Sequence, residues 1–261
     1  MKYGIALHSI IPMRREPREE SEMVSQILFG ETYEVMTEEH HWIQIITQFD
    51  RYSGWIDRKL YKEITASSYN LIQSQYPPVQ SSLLMSIERR GASPMLILAG
   101  STLPGYNRKK DIIEIENDIF HIRWTFGEMG VKGLQTLNKT AGHFLNTPYL
   151  WGGRSVFGCD CSGFVQILYK IHGIQLERDS SQQVEQGEVV TSLSEARQGD
   201  LAFFADEDGK VYHVGLILSP DEIVHSSGYV HRDRLDEKGI FNLETREYTH
   251  KLFAIKRVSG L

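Results

Sequence analysis

The sequence predicts an α+β chain, with two small all-β barrels ahead of a mixed domain of helix and sheet. Three observations carry this: short β-type runs separated by turns fill residues 1 to about 62; a helical apolar period starts at Ser162; and a buried strand over 211–218 is followed at once by a second apolar run. In the first region the runs are 5–11, 31–36, 42–47 and 54–57, a spacing that fits a small barrel. Residues 63 to about 126 repeat the theme more loosely, with strand candidates at 95–99, 111–115 and 119–124. A helix over 133–144 opens the last region, 127–261.

Composition narrows the function classes. A chain of 261 residues with 41% apolar content has room for two or three cores. Its net charge of −6, from 34 acidic and 28 basic residues, argues against nucleic acid or an anionic membrane or wall polymer as a bulk electrostatic partner. Residues 1–12 carry one lysine and an apolar run broken by His8 and Ser9, a poor signal peptide. No stretch approaches the roughly 20 apolar residues of a membrane span. A cytoplasmic location is therefore favoured for the chain as given, and a periplasmic or secreted one if a leader has been removed.

The chemistry concentrates around Cys161. Phe164, Val165, Ile167, Leu168 and Ile171 recur at helical spacing and Gly173 is a natural stop, so Cys161 falls in the first turn of a helix that Asp160 can cap. There the unpaired amides and the helix dipole favour the nucleophilic thiolate. Gly163 permits close approach of backbone or substrate. The strand at 211–218 supplies His213 and the run at 222–225 supplies His225, joined through Ser219-Pro220-Asp221 as a hairpin. If Gly215 stands opposite His225, the two histidines are diagonal neighbours on one face, and His213 can serve as base while His225 orients it. A slip of one residue turns them apart. A zinc set of Cys159, Cys161, His213 and His225 has enough ligands, but one residue between the cysteines departs from the usual two to four. Cys159 is expected only to pack, and no metal or other cofactor is expected.

Tyr149-Leu150-Trp151-Gly152-Gly153, Asp160-Cys161-Ser162-Gly163-Phe164, Gly199-Asp200-Leu201 and His213-Val214-Gly215 occur in the order and spacing of the NlpC-type family of papain-like bacterial cell-wall peptidases, which residues 149–226 resemble. Arg178-Asp179-Ser180-Ser181-Gln182-Gln183 is similar to the γ-D-glutamyl-L-diamino acid endopeptidase branch, also called dipeptidyl-peptidase VI, and the resemblance runs end to end. The order Pro12-Met13-Arg14-Arg15, Glu22-Met23-Val24-Ser25-Gln26, Phe29-Gly30-Glu31 and Ser53-Gly54-Trp55-Ile56 resembles a bacterial SH3-like domain. The resemblance implies a papain-like peptidase domain at 127–261 preceded by an SH3-like domain at 1–62, and the looser repeat of short strands over 63–126 is read as a second SH3-like barrel.

It also implies site roles. Cys161 is the nucleophile, His213 the base, His225 its orienter, and Tyr149 positions the thiolate or stabilises the oxyanion. Asp179 meets a free amine and Ser180 the γ-glutamyl part, with Asp160 and Ser162 lining the pocket. Tyr52 closes the small-residue end, and Glu22 is the acid chosen to help hold the amine. The implied reaction is hydrolysis of the γ-D-glutamyl bond in L-Ala-γ-D-Glu peptides bearing meso-diaminopimelate or L-lysine, in turnover or recycling of peptidoglycan fragments. Two other classes compete: a secreted enzyme acting on intact wall, and a non-catalytic peptidoglycan-binding protein on a peptidase scaffold.

Overall fold

The computed structural model describes residues 1–126 and 134–260. Residue 127, the expected start of the last domain, and Gly133, the expected start of its helix, lie outside the described residues. The chain divides into two units, Met1–Gly130 and Val131–Leu261.

In the first unit, β1 (Lys2–Ile5), β2 (Ile10–Arg14), β3 (Met23–Leu28), β4 (Thr32–Glu39), β5 (Trp42–Thr47), β6 (Ser53–Asp57) and β7 (Lys62–Ile64) form a seven-stranded sheet. Its order is β3-β2-β6-β5-β4-β1-β7. The single run expected over 5–11 is two strands. Ile5 pairs with Thr32 of β4, whereas Ile10 pairs with Leu28 of β3. Between them Ala6 exchanges backbone hydrogen bonds with Gly30 and Glu31, so the chain turns from one partner to the next.

Helix α1 (Ala66–Gln75) has no counterpart among the expected runs; Thr65 caps it by accepting from Ser68 N at 3.1 Å, and Tyr76 ends it at φ 46°. Only Tyr69 and Ile72 of this helix are buried, too few to leave a periodic signal. β8 (Leu84–Arg89), β9 (Met95–Leu98), β10 (Ile112–Ile115) and β11 (Asp118–Phe126) then form a four-stranded sheet, β10-β11-β8-β9. One apolar cluster fills the first sheet with Ile11, Ile27, Ile43, Ile45 and Ile56. A second joins Ile5 and Phe29 to Met85, Ile97, Ile113 and Phe120, with Tyr69 and Ile72 between, so both sheets share a core.

The second unit begins with α2 (Leu134–His143) and the short hairpin β12 (Arg154–Ser155) and β13 (Gly158–Cys159), then α3 (Cys161–Ile171) and α4 (Ser180–Gln183). β14 (Glu188–Val189), β15 (Leu201–Ala205), β16 (Val211–Ser219), β17 (Glu222–Ser227), β18 (Tyr229–Asp236), β19 (Gly239–Phe241) and β20 (Tyr248–Arg257) follow. Their order is β14-β20-β15-β16-β17-β18-β19, and β19 also pairs with β20, closing β15 to β20 into a ring without a free edge. Phe204, Ile217, Ile223, Leu235, Ile240 and Ile255 fill one cluster of its core. Among the described residues no helix is long and apolar enough to cross a membrane.

Every residue of α3 is buried. Asp160 caps it, its Oδ1 accepting from Gly163 N at 2.7 Å, and Gly173 leaves it at φ 82°, a left-handed turn open to glycine at little cost. A Cβ on Gly163 would stand 2.2 Å from Gly153 O and 2.9 Å from Asp160 Oδ1, so the helix meets the preceding loop backbone to backbone. Gly163→Ala is therefore expected to lower stability by about 1–3 kcal/mol, against the gain of about 1 kcal/mol that alanine brings inside a helix. The urea midpoint of unfolding checks this, and an unchanged or raised midpoint would contradict the packing argument.

Candidate active site

The start of α3 is built around one carboxylate. Asp160 Oδ2 accepts from Gly152 N at 2.9 Å and Arg178 Nη2 at 2.6 Å, while Oδ1 accepts from Gly163 N at 2.7 Å and Arg178 Nη1 at 3.1 Å. Arg178 is 1% exposed and also donates to Ser162 Oγ at 2.9 Å. The side-chain oxygens of Asp160 and Ser162 are thus engaged by the protein itself. Gln183 Nε2 of α4 donates to Ser162 O at 3.1 Å, a second tie between the segment carrying Asp179 and Ser180 and the helix carrying Cys161. Ser180 is buried; Asp179 is half-buried, precedes α4, and its N–H donates to Gln182 Oε1 at 3.1 Å.

Cys161 Sγ lies 4.0 Å from Tyr212 O, against β16. The expectation of a ready thiolate is corrected here. Burial pushes its pKa up to about 12 and the Asp160 charge adds to that, whereas the amides of Val214 and Ser162 only partly offset them. The helix dipole acts on this thiol, but desolvation outweighs it. Cys159, fully buried and with its carbonyl accepting from Ser226 Oγ at 2.8 Å, is likewise pushed up to about 12 by burial. Tyr149, half-buried, has its hydroxyl raised by burial first and by Cys161 and Asp160 next, so it stays a protonated donor. Its backbone N donates to Gly228 O at 2.8 Å.

Of the two hairpin registers weighed from the sequence, the structure has Gly215 opposite His225, and His213 Nε2 lies 2.8 Å from His225 Nδ1. A Cβ on Gly215 would come within 2.6 Å of Ile223 Cδ1 and 3.0 Å of His225 Cβ, so the glycine makes room for the diagonal pair. Burial lowers the pKa of His213 well below its ordinary value, and the nearby histidines lower it further. His225 is lowered by burial despite its contact with Asp233. Both rings are neutral near pH 7.

Three neighbours escaped the reading of the sequence. His225 Nε2 is 3.1 Å from Asp233 Oδ2 and His231 Nε2 is 3.0 Å from the same oxygen. His250 of β20 stacks on His213 with ring centroids 4.2 Å apart. None is marked by the apolar pattern: His231 and Asp233 lie on β18, paired directly with β17, and His250 lies on β20, which runs beside β15. Among the described residues, the grouping with metal-ligand atoms all within 4.8 Å of one another is His225, His231 and Asp233, which contains neither cysteine of the zinc set weighed above.

Tyr52 and Glu22 belong to the first unit. Tyr52, between β5 and β6, is half-buried against that unit's barrel core and its N–H donates to Thr47 Oγ1 at 2.9 Å. Glu22 is exposed and ion-paired with Arg15 at 2.6 Å.

Comparison with known proteins is consistent with this arrangement. The NlpC/P60 family profile matches residues 146–253, and the profile of the bacterial dipeptidyl-peptidase SH3 domain matches residues 13–59. The chain is 33% identical over 224 residues to a γ-D-glutamyl-L-lysine dipeptidyl-peptidase of Bacillus subtilis, covering 77% of this chain and 71% of that protein. It is 26% identical to dipeptidyl-peptidase 6 of Lysinibacillus sphaericus, over 90% of this chain and 92% of that one. The crystal structure of an NlpC/P60 family protein from Bacillus cereus superposes with a TM-score of 0.79 at 19% identity, covering 98% of this chain and 99% of that one, which shows a common fold. With a thiol at the head of a buried helix, a histidine pair on the adjoining hairpin and an SH3 domain ahead of them, the chain belongs to the NlpC/P60 family of cysteine peptidases.

Proposed function

We propose that this peptidase hydrolyses the bond between γ-D-glutamate and an L-diamino acid, meso-diaminopimelate or L-lysine, in L-Ala-γ-D-Glu peptides with a free amino terminus, in turnover or recycling of peptidoglycan fragments. The observation that carries the proposal is the Cys161 thiol at the head of α3 beside the strand of His213, in a chain similar along most of its length to two proteins named as dipeptidyl-peptidases.

In this reading the resting pair is a neutral thiol and a neutral imidazole. The sulfur proton passes to His213 as sulfur attacks the γ-carbonyl carbon. The Cys161 backbone N–H at the open end of α3 and the Tyr149 hydroxyl stabilise the oxyanion. Imidazolium His213 then protonates the leaving amine, and water cleaves the thioester to release L-Ala-D-Glu. His225 orients His213. Asp179 receives the substrate's ammonium and Ser180 bonds the γ-glutamyl part. Asp160 and Ser162, held by Arg178, shape the pocket wall. Roles for Tyr52 and Glu22 at the amine end rest on the family resemblance alone. The proposal keeps SH3-like domains over 1–62 and 63–126 and the peptidase over 127–261. The SH3 profile at 13–59 supports the first, and the antiparallel sheet of β8 to β11 supports the second.

Cys161→Ala and His213→Ala are each expected to lower kcat by about 10³-fold or more, and His225→Ala by less, since it removes orientation rather than the proton carrier. Product masses after incubation with L-Ala-γ-D-Glu-L-Lys report this, and parental turnover by Cys161→Ala would end the cysteine-peptidase mechanism for this chain.

The pH profile has a defined sign. His213 must be neutral to accept the thiol proton, and its pKa is lowered by burial, so the neutral form persists as pH falls below 6.5. The acid limb of kcat/KM is expected below pH 6.5, and a limb at or above that pH would contradict the neutral resting base.

A site built to pair an ammonium discriminates against an amide in the same place. N-acetylated or muramic acid-linked peptides are expected to be cut at least about tenfold more slowly than the free tripeptide, with Asp179→Ala narrowing the ratio by harming the free-amine substrate most. Equal rates on glycan-linked and free peptides, measured side by side, would exclude this specificity.

A further inference from the structure

The hydrogen-bonded line that starts at His213 does not stop at His225. Across the ring of strands, Gly215 stands opposite His225 and His225 opposite His231. His213 is two residues before the first partner and Asp233 two residues after the last, so the three side chains step diagonally over β16, β17 and β18 on one face of the sheet. Asp233 is 1% exposed. Its Oδ2 faces His225 Nε2 at 3.1 Å, His231 Nε2 at 3.0 Å and Asn242 Nδ2 at 3.2 Å, and its Oδ1 accepts from Leu243 N at 2.9 Å. Burial works against its charge, but the bonds from His225 and Leu243 N and the two adjacent histidines hold its carboxyl below the usual range.

An ionised carboxylate only accepts hydrogen bonds. His225 must therefore carry its proton on Nε2, and as a neutral ring it presents a lone pair on Nδ1. His213 Nε2, 2.8 Å from that lone pair, must then be the donor, which leaves the lone pair of His213 on Nδ1. The opposite sense would aim a lone pair of His225 at a carboxylate. We propose that Asp233 is a positioning residue for the reaction: acting through His225, it imposes on His213 the Nε2–H tautomer whose free Nδ1 accepts the thiol proton.

This inference rests on Cys161 and His213 being nucleophile and base, and two of the three readouts that test it do not depend on the substrate. Asp233→Asn preserves shape. Leu243 N is a backbone donor that cannot change sense, so the amide oxygen is expected at the Oδ1 position and the amide NH₂ opposite His225 Nε2. His225 would then carry its proton on Nδ1 and donate it to His213 Nε2, whose own proton would sit on Nδ1 and block the base.

Three readouts follow. In the parent protein, imidazole ¹⁵N spectra should show His213 and His225 both protonated on Nε2, and in Asp233→Asn both should move toward Nδ1–H. Alkylation of Cys161 by iodoacetamide, with Cys161→Ala as control for Cys159, should slow at least tenfold. Turnover of L-Ala-γ-D-Glu-L-Lys per titrated thiol should fall by about 10²–10⁴-fold with KM within about twofold, the loss a wrong tautomer causes in hydrolases with a histidine base.

A loss confined to KM or to the amount of folded protein, with the parental tautomer and alkylation rate kept, would mean a structural role and overturn the proposal. So would a parent His213 protonated on Nδ1, a measurement that stands even if the variant fails to fold. If the parent cuts no tripeptide, the substrate assignment fails while the spectra and alkylation still decide this point.

Discussion

The buried ion pair of Asp160 and Arg178 is the interaction on which the second unit's chemistry depends. One carboxylate caps α3 through Gly163 N, holds the preceding loop through Gly152 N and receives both guanidinium nitrogens of Arg178. The loop before α3, the start of α3 and the segment before α4 meet there. Either partner alone would be an uncompensated buried charge, a cost of about 3–5 kcal/mol, so the arrangement holds only as a whole. Arg178 immediately precedes Asp179 and Ser180, so the residue that completes the cap also ties their segment to α3, with Gln183 adding a second tie.

The same pair shapes the electrostatics of the thiol. A carboxylate next to a cysteine opposes its ionisation, and burial opposes it more. Across from it lies a cluster of four histidines in which His213 contacts His225 and His250, and His225 contacts His231. Desolvation lowers His213, His225 and His250 alike. Cys161 and His213 are therefore both neutral at rest, and in the proposed reaction charge separates as the carbon–sulfur bond forms. The full charge buried on the far side is that of Asp233, two hydrogen bonds away from His213.

The first unit follows a different logic. Its seven-stranded sheet and its four-stranded sheet are joined by a common apolar cluster with α1 between them, so the two expected barrels are not separated by a solvent-filled linker. Ile5 and Phe29 belong to this joint core, while Ile11 and Ile27 fill the first barrel alone. The division of β1 from β2 serves that arrangement, because a strand running straight through 5–11 could not turn from β4 to β3.

Much of the site is legible in the sequence because its signals are local. The extent of α3 follows from the Asp160 cap, the apolar period and Gly173, and the meeting of His213 with His225 follows from a hairpin whose register Gly215 permits. What the sequence leaves hidden comes from strand pairing or from the medium. Asp233 and His231 sit on β18, which pairs directly with β17 in a hairpin the apolar pattern does not mark, and His250 sits on β20, which runs beside β15. The protonation of Cys161 depends on solvent exclusion by packing elements, which no motif encodes; a helix N-terminus predicts a thiolate only when water still reaches it. Local pattern and capping chemistry determined the helix, the hairpin and the meeting of His213 with His225. The tertiary structure decided the charge state of Cys161 and His213 and what stands behind His225, because desolvation and strand pairing are properties of the closed fold.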